Sequence, residues 1–219
     1  MSDSKIFVTA NGVLPPFSKT ALKSRCQTEK NPWRCIYTSA PDRGLECLLR
    51  IWPRIRSACP RAELSVFYGW KNWLSSENRH SFDRNWFEMM LALLDQDGIV
   101  GKNLFVEEKD LWGEYIRASV WVYPTQFQET SCISAMKAQL CGAVPVVTAS
   151  GALKETVQRG KLIEAEDIYT SKSAQSTFVS AVVDTLRGNH ESRDEMIDWA
   201  FDRFSWRGIA RDWHGHFPY

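Results

Sequence analysis

The chain has 219 residues, of which 44% are hydrophobic and 24% charged, the proportions of an ordinary globular protein. At this length about 70% of the unfolded surface can be buried, so one sizeable core needs no covalent staples. Its 27 Lys and Arg against 26 Asp and Glu leave a net charge of +1, which provides no global field for nucleic acid or an anionic membrane. No apolar run reaches the roughly 18 residues of a membrane span. The start, Met1-Ser-Asp-Ser-Lys5, lacks the apolar stretch of a signal peptide, so a cytoplasmic setting is expected.

Short β-branched runs alternate with helical patterns along the whole chain, which is the signature of βαβ units around a parallel sheet. Ile6-Phe-Val-Thr9 reads as a leading strand, followed by a Gly- and Pro-containing linker, with residues 1–32 taken together as strand plus linker. Arg34-Cys-Ile-Tyr-Thr38 is the next strand, and Pro41-Asp-Arg-Gly44 turns into a helix whose Leu45, Leu48, Leu49, Trp52 and Ile55 share one face. Strands are predicted at 63–68, 103–106, 119–123, 144–148 and 161–163. Helices are predicted at 82–94, 109–116 and 130–141, the last with Ile133, Met136 and Leu140 inward. Three more helices close the chain near 173–187, 191–204 and 206–215, so that 190–219 is helical. The pattern predicts a single doubly wound, Rossmann-like α/β domain over 1–219.

Six cysteines are too sparse for a disulfide scaffold and none forms C-x-x-C, so reduced, packed thiols are expected. The four histidines form no ligand cluster; His214-Gly-His216 is the nearest approach to one, and no metal is expected there. Ten tryptophans scattered from Trp33 to Trp213 point to packing, with one or two available for a ligand surface.

Ligands of open α/β sheets sit beyond the carboxyl ends of the strands. The turn Thr38-Ser-Ala-Pro-Asp-Arg-Gly44 offers hydroxyls, a fixed guanidinium and a glycine opening a helix, a combination suited to phosphate. Ordinary capping by Ser39 or Asp42 explains the same residues. The turn Pro124-Thr-Gln-Phe-Gln-Glu129-Thr-Ser-Cys132 is richer. Glu129 either caps the following helix or takes a hydroxyl while N–H groups at Thr130, Ser131 and Cys132 face an anion. Lys137, two turns further on, is either a solvated surface lysine or points to the same side as Glu129. Asp95-Gln-Asp97 is a D-x-D of the metal–diphosphate type, but it ends an amphipathic helix, where solvated residues are expected.

Taken in order, these residues resemble the C-terminal, donor-binding half of a GT-B glycosyltransferase of the large group 1, retaining, family 4-like type. The similarity is carried by Lys5-Ile-Phe-Val-Thr-Ala-Asn-Gly12-Val, by Ser39-Ala-Pro-Asp-Arg-Gly-Leu45, and by Ala62-Glu-Leu-Ser-Val-Phe-Tyr-Gly69-Trp. It is strongest in Glu129-Thr-Ser-Cys-Ile-Ser-Ala-Met-Lys137-Ala-Gln-Leu-Cys-Gly142-Ala-Val-Pro145-Val-Val-Thr. Gly151-Ala-Leu-Lys-Glu155-Thr-Val157 and Phe204-Ser-Trp206 follow at the usual offsets.

The resemblance implies transfer of a sugar from a nucleotide-diphosphate donor with retention of configuration, without a metal or other cofactor. Arg43 and Glu129 would be the catalytic pair, Arg43 neutralising the leaving diphosphate and Glu129 orienting sugar hydroxyls. Ser39, Pro41, Gly44, Gly69, Thr130, Ser131, Cys132, Ile133 and Lys137 would line the donor site, and Val106 and Glu107 would hold the base through their main chain. The acceptor surface would come from an N-terminal domain or a separate partner protein.

Two departures stand out. The family's second Glu, which holds ribose hydroxyls in relatives, is Lys137 here, and a lysine accepts no hydrogen bond from a diol. Arg43 takes the place of a lysine, with Thr38 or Ser39 near the usual arginine. These imply altered donor recognition. A non-catalytic nucleotide-sugar-binding or interaction module, or an epimerase-like domain, are the alternatives.

Overall fold

The computed structural model describes residues 7–9, 11–68, 83–104 and 106–217. Among these, six strands form one parallel sheet: β1 Asn31–Tyr37, β2 Glu63–Phe67, β3 Ile99–Leu104, β4 Ala118–Tyr123, β5 Val144–Thr148 and β6 Lys161–Ile163, in the order β3-β2-β1-β4-β5-β6. Every residue of β4 and β5 is buried. Apart from Ser119 and Thr148 these residues are apolar, as a strand covered on both faces requires. The register is regular between β4 and β5, with Val120 opposite Val144 and Tyr123 opposite Val147, and shifts between Asn31 and Cys35 where β1 pairs with β4. It slips at the β3 edge.

Helices α1 Lys19–Glu29, α2 Leu45–Ala58, α3 Arg84–Leu94, α4 Glu108–Arg117, α5 Ile133–Leu140, α6 Leu153–Thr156, α7 Lys172–Leu186, α8 Arg193–Phe204 and α9 Trp206–His216 complete the described chain. Helices α2, α3 and α7 pack together against one face of the sheet, and α1, α4, α5 and α8 against the other. The chain therefore winds outward from β1 to β3 on one face and returns to β4 on the other. The reversal lies between β1 and β4. This is the doubly wound architecture that the sequence predicted.

Several boundaries differ from the sequence reading, each for a physical reason. Helix α1 lies inside the predicted linker; only Leu22 and Cys26, one turn apart, are buried on it, too narrow a stripe to register as periodicity. Phe7–Thr9 form no strand, and instead Val13 makes a single parallel bridge to Ser205, at the junction of α8 and α9. Strand β3 begins four residues earlier than predicted, because Gly98 turns the chain with φ +79°; the polar Lys102 it carries suits a sheet edge. Ile133 is exposed rather than inward, since α5 starts there, at the rim, and not at Thr130.

Helix α2 runs through Pro53, which has no N–H to offer the Leu49 carbonyl four residues back. The side-chain amide of Gln96 donates to that carbonyl at 3.0 Å.

Two turns meet at the sheet's reversal point. Gly44, N-cap of α2 at φ +113°, lies against Pro124, and a side chain on residue 44 would collide with the Pro124 carbonyl. Both the backbone angle and the contact demand glycine. Gly44→Ala is expected to cost well over ~1 kcal/mol of stability; an unchanged urea midpoint would show that the turns do not depend on this contact.

Candidate functional site

The crevice outside the carboxyl ends of β1 and β4 is where an open α/β sheet of this order binds ligands. Tyr37 and Tyr123, the last residues of those two strands, pack ring to ring with centroids 5.9 Å apart. The Tyr37 hydroxyl donates to the Ala40 carbonyl at 2.8 Å and so braces the β1 turn, in which Pro41 is buried.

A line of polar contacts crosses the crevice. Ser39 Oγ donates to the Tyr123 hydroxyl at 3.3 Å, and that hydroxyl donates to Glu129 Oε1 at 2.7 Å. Burial, with the adjacent Glu129 carboxylate also contributing, holds the Tyr123 phenol well above its ordinary range, so it remains the donor. Arg43 Nη1 stands 3.9 Å from the same carboxylate oxygen. Its guanidinium lies 3.8 Å above the Phe127 ring and keeps 39% of its side chain exposed. Arg43 is thus braced by an aromatic face and faces a carboxylate, while part of its side chain stays open to solvent.

Glu129 is fixed from behind. Its N–H donates to Phe127 O at 2.9 Å, and its carbonyl accepts from Ala152 N at 2.7 Å. Gly151, at φ +54°, lets that backbone approach so closely that a Cβ there would sit 2.5 Å from the Glu129 oxygen. Glu129 does not cap α5; Cys132 holds that position without a side-chain cap bond. Neither Ser39 nor Asp42 caps α2, where Gly44 is the N-cap. Thr130, Ser131 and Cys132 therefore precede α5, in whose first turn the Ala135 and Met136 N–H groups already donate to the Cys132 carbonyl. Burial, helped by Glu129, pushes the Cys132 thiol up to about 12, so it is no thiolate at neutral pH. Thr130 and Ser131 also line a cleft of about 250 Å³ together with Asn11, Glu155 and Arg203.

Lys137 does not behave as a surface lysine. Only 11% of its side chain is exposed, its ammonium lies 5.6 Å from the Trp112 ring centre, and it donates to Glu108 Oε1 at 2.6 Å. Val106 is partly buried against the core, and Glu107, N-cap of α4, pairs with Lys109 at 2.8 Å. Gly69 lies outside the described residues. Tyr123, Phe127 and Glu108 were not singled out from the sequence. An aromatic ending each of the two central strands was the available signal for the first.

The D-x-D triplet is structural. Asp95 pairs with Lys102, Asp97 pairs with Arg56, and Gln96 between them completes α2. Among the described residues no three His, Cys, Asp or Glu side chains are grouped so as to hold a metal.

Solved structures that resemble the chain are glycosyltransferases. The pneumococcal O-GlcNAc transferase GtfA, determined with UDP and GlcNAc, superposes with a TM-score of 0.65 at 13% identity over 95% of this chain and 38% of its own. A glycosyltransferase from Rickettsia africae gives 0.64 at 14% identity, over 99% of this chain and 57% of its own. HepE from Anabaena in complex with UDP-glucose gives 0.58 at 15% identity, over 90% and 51%. The chain shares its fold with glycosyltransferases. It spans roughly two fifths to just over half the length of these proteins. No family description and no curated protein matches the sequence.

The buried stem of Lys137 against Trp112 should matter more to stability than its charge, since Glu108 is 72% exposed. Lys137→Met is expected to stay within about 1 kcal/mol of the parent. Lys137→Glu, which buries a carboxylate beside Glu108, should lose roughly 1–3 kcal/mol. Equal urea midpoints for these two variants would contradict this placement.

Proposed function

We propose that this chain is the donor-binding half of a retaining glycosyltransferase of the GT-B group 1 type, taking a nucleotide-diphosphate sugar. The observation that carries the proposal is Arg43 facing Glu129 across the Gly44–Pro124 contact, at the reversal point of the sheet. Departure of a nucleoside diphosphate develops negative charge on phosphate oxygens. Arg43 would neutralise it through charge-assisted bonds, assisted by N–H groups from Thr130 to Ile133 at the positive end of α5. Glu129, an acceptor-only group with one oxygen committed to Tyr123, would orient hydroxyls of the transferred sugar through the other. Ser39, Pro41 and Gly44 would shape the phosphate turn, and the main chain at Val106 and Glu107 would hold the base. No divalent metal or other cofactor is part of this scheme.

The solved relatives support the ligand class, since GtfA was determined with UDP and HepE with UDP-glucose. They also bear on the partner: GtfA forms a complex with GtfB. An acceptor surface would be supplied by an N-terminal domain or by a separate chain, and reaction would occur in the cleft between the two. A cytoplasmic setting fits six buried, unpaired thiols. The lysine at position 137 favours one further reading, a binding module that keeps the donor site without turnover. Release of free or transferred sugar from a nucleotide sugar separates the two.

A panel of UDP, GDP, ADP and their sugars should contain a ligand that raises stability by about 2.7 kcal/mol at 100 times its Kd. Absence of any thermal shift at millimolar concentrations would remove the donor-binding reading. Arg43→Ala should weaken diphosphate binding by roughly 1.5–3 kcal/mol with little change in folding; calorimetry giving the parent affinity would remove Arg43 from the phosphate site.

A further inference from the structure

We infer that Glu108 is the carboxylate that receives the ribose hydroxyls of the bound nucleotide, and that Lys137 acts by holding it in position. This rests on the nucleotide-sugar reading above. A vicinal diol recognised by hydrogen bonds needs acceptors, and the ammonium of Lys137 has none to give. That ammonium is also already spent: it is buried beside Trp112 and donates to Glu108 Oε1 at 2.6 Å. The charge available to a ligand at this point is therefore the carboxylate. Glu108 uses Oε1 for the ion pair while 72% of its side chain stays exposed, leaving Oε2 for a ligand.

Its placement follows from two helices that both begin at the ligand edge of the sheet. On α4, Glu108, Trp112 and Tyr115 fall at helical spacing on one side. The Tyr115 hydroxyl shares a 2.6 Å bond with Thr38 Oγ1, at the start of the β1 turn. On α5, Ser134 and Lys137 fall one turn apart, and Ser134 Oγ donates to the Thr38 carbonyl at 3.1 Å. The same facing rows thus tie the Arg43-bearing turn to both helices and carry the Glu108–Lys137 pair. Glu108 is the first residue of α4, the helix that follows β3 at the carboxyl edge of the sheet.

Two features set Glu108 apart from the acidic residues around it. Glu107 is paired with Lys109, and that lysine is itself 73% exposed, so no buried cation anchors the pair. The cation that holds Glu108 is buried and packed, which removes much of the rotamer entropy a bare surface glutamate would lose on binding. The pair is also neutral overall. A carboxylate held in this way presents acceptors to a diol without adding net negative charge close to a diphosphate.

The test compares UDP, GDP and ADP with their 2′-deoxy counterparts by calorimetry on the parent chain, Glu108→Ala, Glu108→Gln and Lys137→Met. Substitution of an exposed residue should leave folding intact, and the protein-by-ligand cycle isolates the contact from any effect of sugar pucker. The parent should prefer the ribonucleotide by about tenfold or more, the value of one charge-assisted hydrogen bond. Glu108→Ala should bring that ratio close to one, Glu108→Gln should retain part of it, and Lys137→Met should lower it by a smaller factor than Glu108→Ala. A ratio in Glu108→Ala equal to the parent's, with nucleotide still binding, would overturn the role of Glu108 and leave the nucleotide reading standing. Loss of discrimination in Lys137→Met alone would transfer the contact to the lysine and overturn the inference. No binding of any diphosphate to the parent would remove the nucleotide reading and this inference with it.

Discussion

At the reversal point of the sheet the chain has to bring two turns from different halves of the fold into van der Waals contact, and the backbone of residue 44 lies directly against the Pro124 carbonyl. Everything polar in the crevice is measured from that contact. It sets the distance between the β1 turn, which carries Ser39 and Arg43, and the β4 turn, which carries Phe127 and Glu129. Gly151 repeats the device on the far side, where its missing side chain admits the Glu129 backbone. Glu129 is thus gripped between two turns whose close approaches both depend on glycine. Its main chain is fixed there and its carboxylate is held by the Tyr123 hydroxyl, and preorganised polar groups of this kind need little rearrangement when charge develops nearby.

Charge in the crevice is distributed by pairing. Arg43 leans on Phe127 and Glu129, Glu129 takes the Tyr123 hydroxyl, and Lys137 takes Glu108. Each of these polar heads has a partner, and the Arg43 and Glu108 ends of the network stay open to solvent. That arrangement satisfies the cost of burying polar groups and still leaves unused hydrogen-bonding capacity facing outward. The Asp95-Gln96-Asp97 triplet lies away from the crevice and is likewise paired. Its carboxylates are taken up by cations on neighbouring elements, and its amide points inward.

The fold was legible where the apolar pattern is strong: β5, buried throughout, has the bounds the sequence suggested, and the five residues predicted to share one face of α2 are all buried. Elements held by few contacts were not legible. Helix α1 buries two side chains, and β3 hides its pattern behind Gly101, Lys102 and Asn103. In the crevice, the spacing of Arg43, Gly44 and Glu129 already placed them at strand ends, and the structure brings them together. The fate of Lys137 could not be read, because its partner lies 29 residues away on another helix and nothing local marks Glu108 as its target. Likewise the inward or outward phase of Ile133 depended on where α5 begins, which backbone at the crevice decides and side-chain pattern does not.

Helix α2 is not self-sufficient in hydrogen bonds. Pro53 leaves the Leu49 carbonyl without its usual donor, and the amide that replaces it belongs to residue 96, which also contacts the Leu93 carbonyl at the end of α3. Trp52 adds a second strap by donating its indole N–H to Asp97 O at 3.0 Å. A nascent chain that has emerged only as far as α2 therefore lacks the groups that complete this helix. The helix that follows Gly44 is completed only by residues of the α3–β3 junction, 45 to 47 positions further along the chain. A single glutamine amide thus joins the helix behind the Arg43 turn to the end of α3.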